Sequence, residues 1–345
     1  MNESRRPWKM WIYGILFLIP CFYVVQATMV NDSTYVDLHN WAHGTAKLPY
    51  QHRDLIAPVL RLAEKSPVLI RQAAAHNGLG IFADAMNYPL FLINWVSLYL
   101  CGVLATALYR IASKGRLWWL PASVLLVFFI VSVSLRWEHR YLFPYDLLSM
   151  FFFTLGLFLI YRGWLWPLLL LMPLATANRE TTIMWIPLLL LGAVDQYRTN
   201  SLPRRRLLEI LSITALLCIL WLITVHHMAA PYIHNDASET YPRLWSNLRA
   251  IRTWKGIVET GSAFAFSGFF LFAYRRRIAD TSLRAYMLIL PLWFTILFYQ
   301  GEIVESRVFA ELFPFAAVAA TLIFEATYLS EEGKPCPTQG SNLLF

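Results

Sequence analysis

The chain alternates long apolar runs with short polar breaks, and one break falls where a single run should continue. Residues 165–192 make an apolar stretch of about 28 residues, more than the roughly 20 that one bilayer crossing needs and fewer than the roughly 40 of two. Inside it stand Asn178, Arg179 and Glu180. A charge at the centre of a membrane helix costs about 2.5–3.5 kcal/mol on insertion scales. The pattern therefore predicts two short helices that meet at 178–180, entering from one face and returning to it. The charges then lie at a polar interface or in a water-filled cleft. The plain reading is an Arg179–Glu180 pair closing a tight helical hairpin. The other is a substrate or catalytic site, because ionisable groups at membrane depth are functional candidates by default.

The remaining runs extend this to an all-α polytopic membrane protein with about ten transmembrane helices, some short or re-entrant. The predicted windows are 10–30, 89–109, 117–135, 146–161, 164–177, 181–194, 207–226, 257–274, 285–300 and 308–327. The leading basic-then-apolar stretch also fits a signal peptide, with a small-residue site near Val25, Gln26 and Ala27. Its apolar part is at the upper limit for such a segment, and the reading kept is a first transmembrane helix. Residues 1–330 form one transmembrane domain, and 331–345 read as a disordered cytoplasmic tail. A long first loop carries an amphipathic stretch, 58–75, that can lie in the interface plane.

Composition agrees with this and excludes a soluble class: 58% of residues are hydrophobic and only 14% charged, with 14 Trp, 17 Tyr and 23 Phe to supply interfacial belts. The net charge of +8 does not imply nucleic acid, because the basic residues cluster between apolar runs. Putting the N-terminus in the cytoplasm places Arg5, Arg6, Lys9, Arg110, Lys114, Arg116, Arg162, Arg198, Arg204–206, Arg275–277 and Arg284 inside, as the positive-inside rule asks. Both termini are then cytoplasmic, in an inner (plasma) membrane. The non-basic polar clusters then fall together on the outer face. Cys21, Cys101, Cys218 and Cys336 give no plausible disulfide pair.

Several outer residues can carry chemistry. Asp37, two residues before His39, can take a proton from an acceptor hydroxyl, or it can simply cap a helix, as can Asp32. Arg53, in the run Tyr50-Gln51-His52-Arg53-Asp54, suits a phosphate or pairs with Asp54. Glu138, His139 and Arg140 lie between the interfacial aromatics Trp137 and Tyr141, and Asp146 reads as an N-cap. Further on, Glu302 and Glu305 share a face, and Arg307 can pair with Glu311 at i,i+4. His226, His227, His234 and Asp236 fit no closed zinc pattern.

Four local patterns together resemble the GT-C superfamily of integral membrane glycosyltransferases, in a poorly characterised bacterial branch. They are Asp37 after the first span, Leu48-Pro49-Tyr50-Gln51-His52-Arg53, Ala177-Asn178-Arg179-Glu180-Thr181, and Glu305-Ser306-Arg307-Val308-Phe309-Ala310-Glu311-Leu312. The sequence departs from the family in the first loop, where Asp32 and Asp37 are separated by four residues instead of forming a cleaner acidic pair. The resemblance implies a sugar donor on polyprenyl phosphate and a lipid or glycan acceptor on the outer face. Arg179, Arg53 or Arg307 can stabilise the departing phosphate, helped by the helix N-terminus near Thr181. Asp37 is the preferred base, while Glu180 or Glu305 orients the arginines or bonds the sugar. Asn178, His39 and Tyr50 complete the substrate-binding set. A divalent metal stays open. Two rivals remain: a secondary transporter of an anionic small molecule, although no internal repeat supports it, and a non-catalytic membrane assembly protein.

Overall fold

The computed structural model describes residues 7–29, 37–76, 80–113, 117–134, 142–199, 201–238 and 240–329. Arg5, Arg6, Asp32, Lys114, Arg116, Trp137, Glu138, His139, Arg140, Tyr141 and the tail 331–345 lie outside the described residues.

All regular structure among the described residues is helical. In chain order the α-helices are α1 (Pro7–Met29), α2 (Leu38–Ala42), α3 (Ala57–Glu64), α4 (Pro67–Ala75), α5 (Asn87–Ala112), α6 (Leu120–Ser134), α7 (Asp146–Tyr161) and α8 (Trp166–Asn178). They continue with α9 (Trp185–Arg198), α10 (Arg204–Ala229), α11 (Leu244–Ala250), α12 (Trp254–Ser262), α13 (Gly268–Ala273), α14 (Thr281–Tyr286), α15 (Ile289–Gln300) and α16 (Phe313–Tyr328). Short 3-10 turns Glu180–Met184 and Ser306–Leu312 lead into α9 and α16.

Helices occupy the predicted windows, but crossing length is rarer than the apolar pattern suggests. Five stretches are long and apolar enough to span a membrane: Ile12–Met29, Asn87–Ala112, Arg204–Tyr232, Thr281–Gln300 and Ser306–Tyr328. A sixth counts if Trp254–Phe266 and Gly268–Arg277, which meet at 52°, form one broken span. The break holds three consecutive left-handed residues, Phe264, Ala265 and Phe266, with φ of 55°, 49° and 64°. Side chains there crowd the following carbonyl at a cost of roughly 1–2 kcal/mol each. Helices α6, α7 and α8 are apolar but shorter. At about 1.5 Å per residue they reach roughly 20–24 Å, against a hydrocarbon core of about 30 Å.

The bundle is organised around its last helix. In the Ser306–Tyr328 span 78% of the apolar window is buried, whereas in Arg204–Tyr232 only 17% is, so α16 is the core and α10 the rim. Helix α16 packs on α5 and α6, and α5 packs on α7. Two glycines permit the tightest crossings. A Cβ on Gly102 would stand 2.3 Å from Phe17 Cε1, and one on Gly156 would stand 2.2 Å from Trp185 Cε2. Small residues at such crossings are the usual way membrane helices approach closely.

The amphipathic stretch expected as one helix is two. Ser66 caps α4 by accepting the Leu69 N–H, and Pro67 sits at its first turn, where it lacks an N–H to lose. Leu60 and Ala63 of α3 are buried, while Leu62, Val68 and Ile70 stay exposed.

Candidate functional site

Helix α8 ends where the charges begin. Arg179 leaves the helix in an extended conformation, φ −164° and ψ 132°, and the chain re-enters through the 3-10 turn Glu180–Met184. The predicted break is thus present, but the closing Arg179–Glu180 pair is replaced by other partners. Arg179 Nη1 lies 3.4 Å from Asp146 Oδ1 and 3.1 Å from Glu311 Oε1. Glu180 turns the other way and takes Arg53, whose Nε donates to Oε2 at 2.9 Å and whose Nη2 donates to Oε1.

Asp146 is the centre of this arrangement. It was expected to cap α7, yet Tyr145 is the cap residue. The Asp146 carboxylate instead accepts the Phe143 N–H at 2.9 Å and bridges two guanidiniums. Its Oδ1 faces Arg179, and its Oδ2 is 3.2 Å from Arg307 Nη1. Arg307 Nη2 also donates to Glu305 Oε2, and its guanidinium stacks 3.6 Å from the centroid of Phe143. Tyr50 packs its ring 5.0 Å from the same Phe143.

The expected Arg307–Glu311 pairing at i,i+4 does not form. The segment Ser306–Leu312 is a 3-10 helix. With three residues per turn, positions four apart diverge by about 120°. Glu311 therefore reaches Arg179, and Thr181 Oγ1 donates to its carboxylate at 2.8 Å.

Burial sets the energetics. Asn178, Arg179, Asp146, Arg307 and Glu311 are each 5% exposed or less. An unpaired ion in such a setting costs several kcal/mol, which explains why every charge faces an opposite one. Asn178 anchors the break to α7 by donating to Tyr145 O at 3.1 Å and Ser149 Oγ at 2.8 Å. The open side is the Arg53–Glu180 pair, where Glu180 is 38% exposed. Arg53 also donates to the Tyr145 hydroxyl at 3.0 Å. Asp54 is not its partner and accepts the Tyr232 hydroxyl at 2.7 Å.

Asp37 and His39 take other partners. Asp37 is exposed and caps α2, accepting the Asn40 N–H at 2.9 Å, and His39 stands between Glu64 and Asp84. Of the nine site residues expected from sequence, Arg53, Asn178, Arg179, Glu180, Glu305 and Arg307 share one network, Tyr50 borders it through Phe143, and Asp37 and His39 bond instead to Asn40, Glu64 and Asp84. The sequence pattern did not show Asp146 as the common partner of Arg179 and Arg307, and it paired Glu311 with Arg307 instead of Arg179. Their signal was present: each is a lone carboxylate at the start of an apolar helix.

Among the described residues no three His, Cys, Asp or Glu side chains are grouped as a metal site needs. The network carboxylates are taken up by guanidinium, hydroxyl or backbone donors. No family model, no curated protein and no solved structure matches this chain.

Proposed function

We propose that the protein is a GT-C-type membrane glycosyltransferase, which moves a sugar from a polyprenyl-phosphate donor to a lipid or glycan acceptor on the outer face. One observation carries the reading: Arg53, Arg179 and Arg307, from three distant segments, converge around Tyr145 and Asp146. Displacing a polyprenyl phosphate requires fixed positive charge beside the departing oxygen. In this account the acceptor oxygen attacks the anomeric carbon, the bond from that carbon to the phosphate oxygen breaks, and the phosphate leaves with the electron pair. The incoming phosphate exchanges with Glu180 on Arg53, the pair nearest solvent, because a guanidinium binds phosphate and carboxylate in the same bidentate way. Glu305 holds Arg307 in place, and Asp146 fixes Arg179 and Arg307 together. Asp37 is the proposed base for the acceptor proton, which requires α2 to approach the open side.

A transporter of an anionic small molecule is the second reading. It is favoured by the helix break between α8 and α9 and by the 52° bend at 263–268, since broken helices often frame transport sites. Proteoliposomes separate the two. Incubation with a labelled polyprenyl-phosphate sugar and a lipid acceptor is expected to give labelled product with the wild type and none with Arg53→Gln. Counterflow of an anionic solute without any transfer product would replace the first reading by the second.

A further inference from the structure

His39 stands between two carboxylates. Its Nδ1 lies 3.2 Å from Glu64 Oε1, and its Nε2 lies 2.8 Å from Asp84 Oδ2. A neutral imidazole carries one N–H and can donate to only one of them; the imidazolium donates to both. The second Glu64 oxygen meets His43 Nε2 at 2.8 Å. Asp84 is fixed in turn, because its Oδ1 accepts the Met86 N–H at 2.8 Å. Two histidines of the α2 segment are thus tied to α3 and to the turn that opens α5.

We propose that His39, clasped between Glu64 and Asp84, is a proton-operated latch that holds α2 against α3 and the start of α5, with the His43–Glu64 bond beside it. The latch does not depend on which reaction the protein performs.

Among the described residues, Asp37 and Arg61 are the other charged groups bonded to α2. Asp37 heads α2 and caps it. Arg61 of α3 donates to the Ala42 carbonyl at 2.6 Å, a bond that persists at any pH near neutrality. Because the His39 side chain is 52% exposed, protons reach it directly from bulk water. Partial burial pulls its pKa down, but the hydrogen bonds and charges of Asp84 and then Glu64 outweigh it, so the pKa rises above 6.5. A raised folded-state pKa means that the stabilisation is complete below 6.5 and is lost as the pH climbs through the folded value.

Hydrogen–deuterium exchange tests this on the full chain in lipid nanodiscs. The amides of Trp41 and His43 donate to Asp37 O and His39 O within α2, so they report its integrity. After correction for intrinsic exchange, their protection in the wild type should fall about tenfold per unit of pKa difference between pH 5.5 and 8.5. The double variant His39→Gln, His43→Gln has no proton to lose there, so its protection should not vary with pH. Unchanged wild-type protection across that range, or the same pH dependence in the double variant, overturns the latch. Should the variant fail to fold, the His39 ring pKa in the wild type decides by NMR: above 6.5 supports the latch, and at or below 6.5 rejects it.

Discussion

Arg179 and Arg307 approach opposite oxygens of the same carboxylate, Asp146, at 3.4 and 3.2 Å. Neither arginine is near the other in sequence, and each comes from a segment where a regular helix has just been interrupted. The interruptions free the backbone to aim the guanidiniums inward. Asp146 then joins α7, the α8–α9 break and the entry to α16 at one point.

Removing that carboxylate charge should therefore unsettle both arginines at once. Asp146→Asn is expected to destabilise the fold by about 3–5 kcal/mol, the range for breaking a buried ion pair by loss of one partner. Thermal unfolding in detergent reads this as a lowered Tm. Combining Asp146→Asn with Arg307→Met should cost clearly less than the sum of the two single changes, because residues in one network couple by about 0.5–3 kcal/mol. Strict additivity would show that the two groups are independent.

At the open edge, Arg53→Lys keeps the charge and loses the fork that grips Glu180 and Tyr145. A point ammonium cannot reproduce that geometry. Under the glycosyltransferase reading, transfer should fall by about tenfold or more, since one charge-assisted hydrogen bond is worth about 1.5–3 kcal/mol. The Tm should change little, because Glu180 remains accessible to water.

Helix contact rather than charge governs Gly156. Its missing Cβ leaves room for Trp185, so Gly156→Ala is expected to push α7 and α9 apart. Overpacking of this kind costs about 1–3 kcal/mol, measurable as a reduced Tm. Gly80→Ala gives a contrast, because nothing lies within 4 Å of the added carbon and only its φ of +76° opposes the change.

The first loop should also have an acid limit. Burial nudges the Glu64 pKa upward, but the bonds from His43 and then His39 outweigh this and hold it below 4.5. A lowered folded-state pKa gives stabilisation that is present above 4.5 and lost as the pH falls through the folded value. Exchange of the α2 amides should therefore quicken under acid conditions, and Glu64→Gln should abolish that limb. An acid limb surviving in Glu64→Gln would assign it to another group.

How much of this was legible in the sequence follows from the range of each interaction. The helices and the break at 178–180 were readable, because a charged triplet within an apolar run is costly wherever the chain goes. The partners of the triplet were not. The local pattern offers Arg179 its neighbour Glu180, yet it pairs with Asp146 and Glu311 from distant segments. Local rules misled in two places. A carboxylate before a helix usually caps it, which Asp146 does not do, and the α-helical spacing that pairs Arg307 with Glu311 is not obeyed by a 3-10 segment. The division of the amphipathic stretch was readable, since Ser66-Pro67 is an ordinary helix start. Where the apolar pattern offers about ten windows, five or six stretches among the described residues reach crossing length, because apolar content does not fix helix length.

The most direct test of the account is equilibrium binding of polyprenyl phosphate to the protein in nanodiscs, compared between wild type, Arg53→Gln and the exposed control Arg71→Gln. Arg53→Gln should weaken binding by about tenfold or more, the loss of one charge-assisted contact, while Arg71→Gln should stay within about twofold. Equal affinity in all three, or equal competition by the phosphate-free polyprenol, would contradict a phosphate site at the Arg53–Glu180 edge.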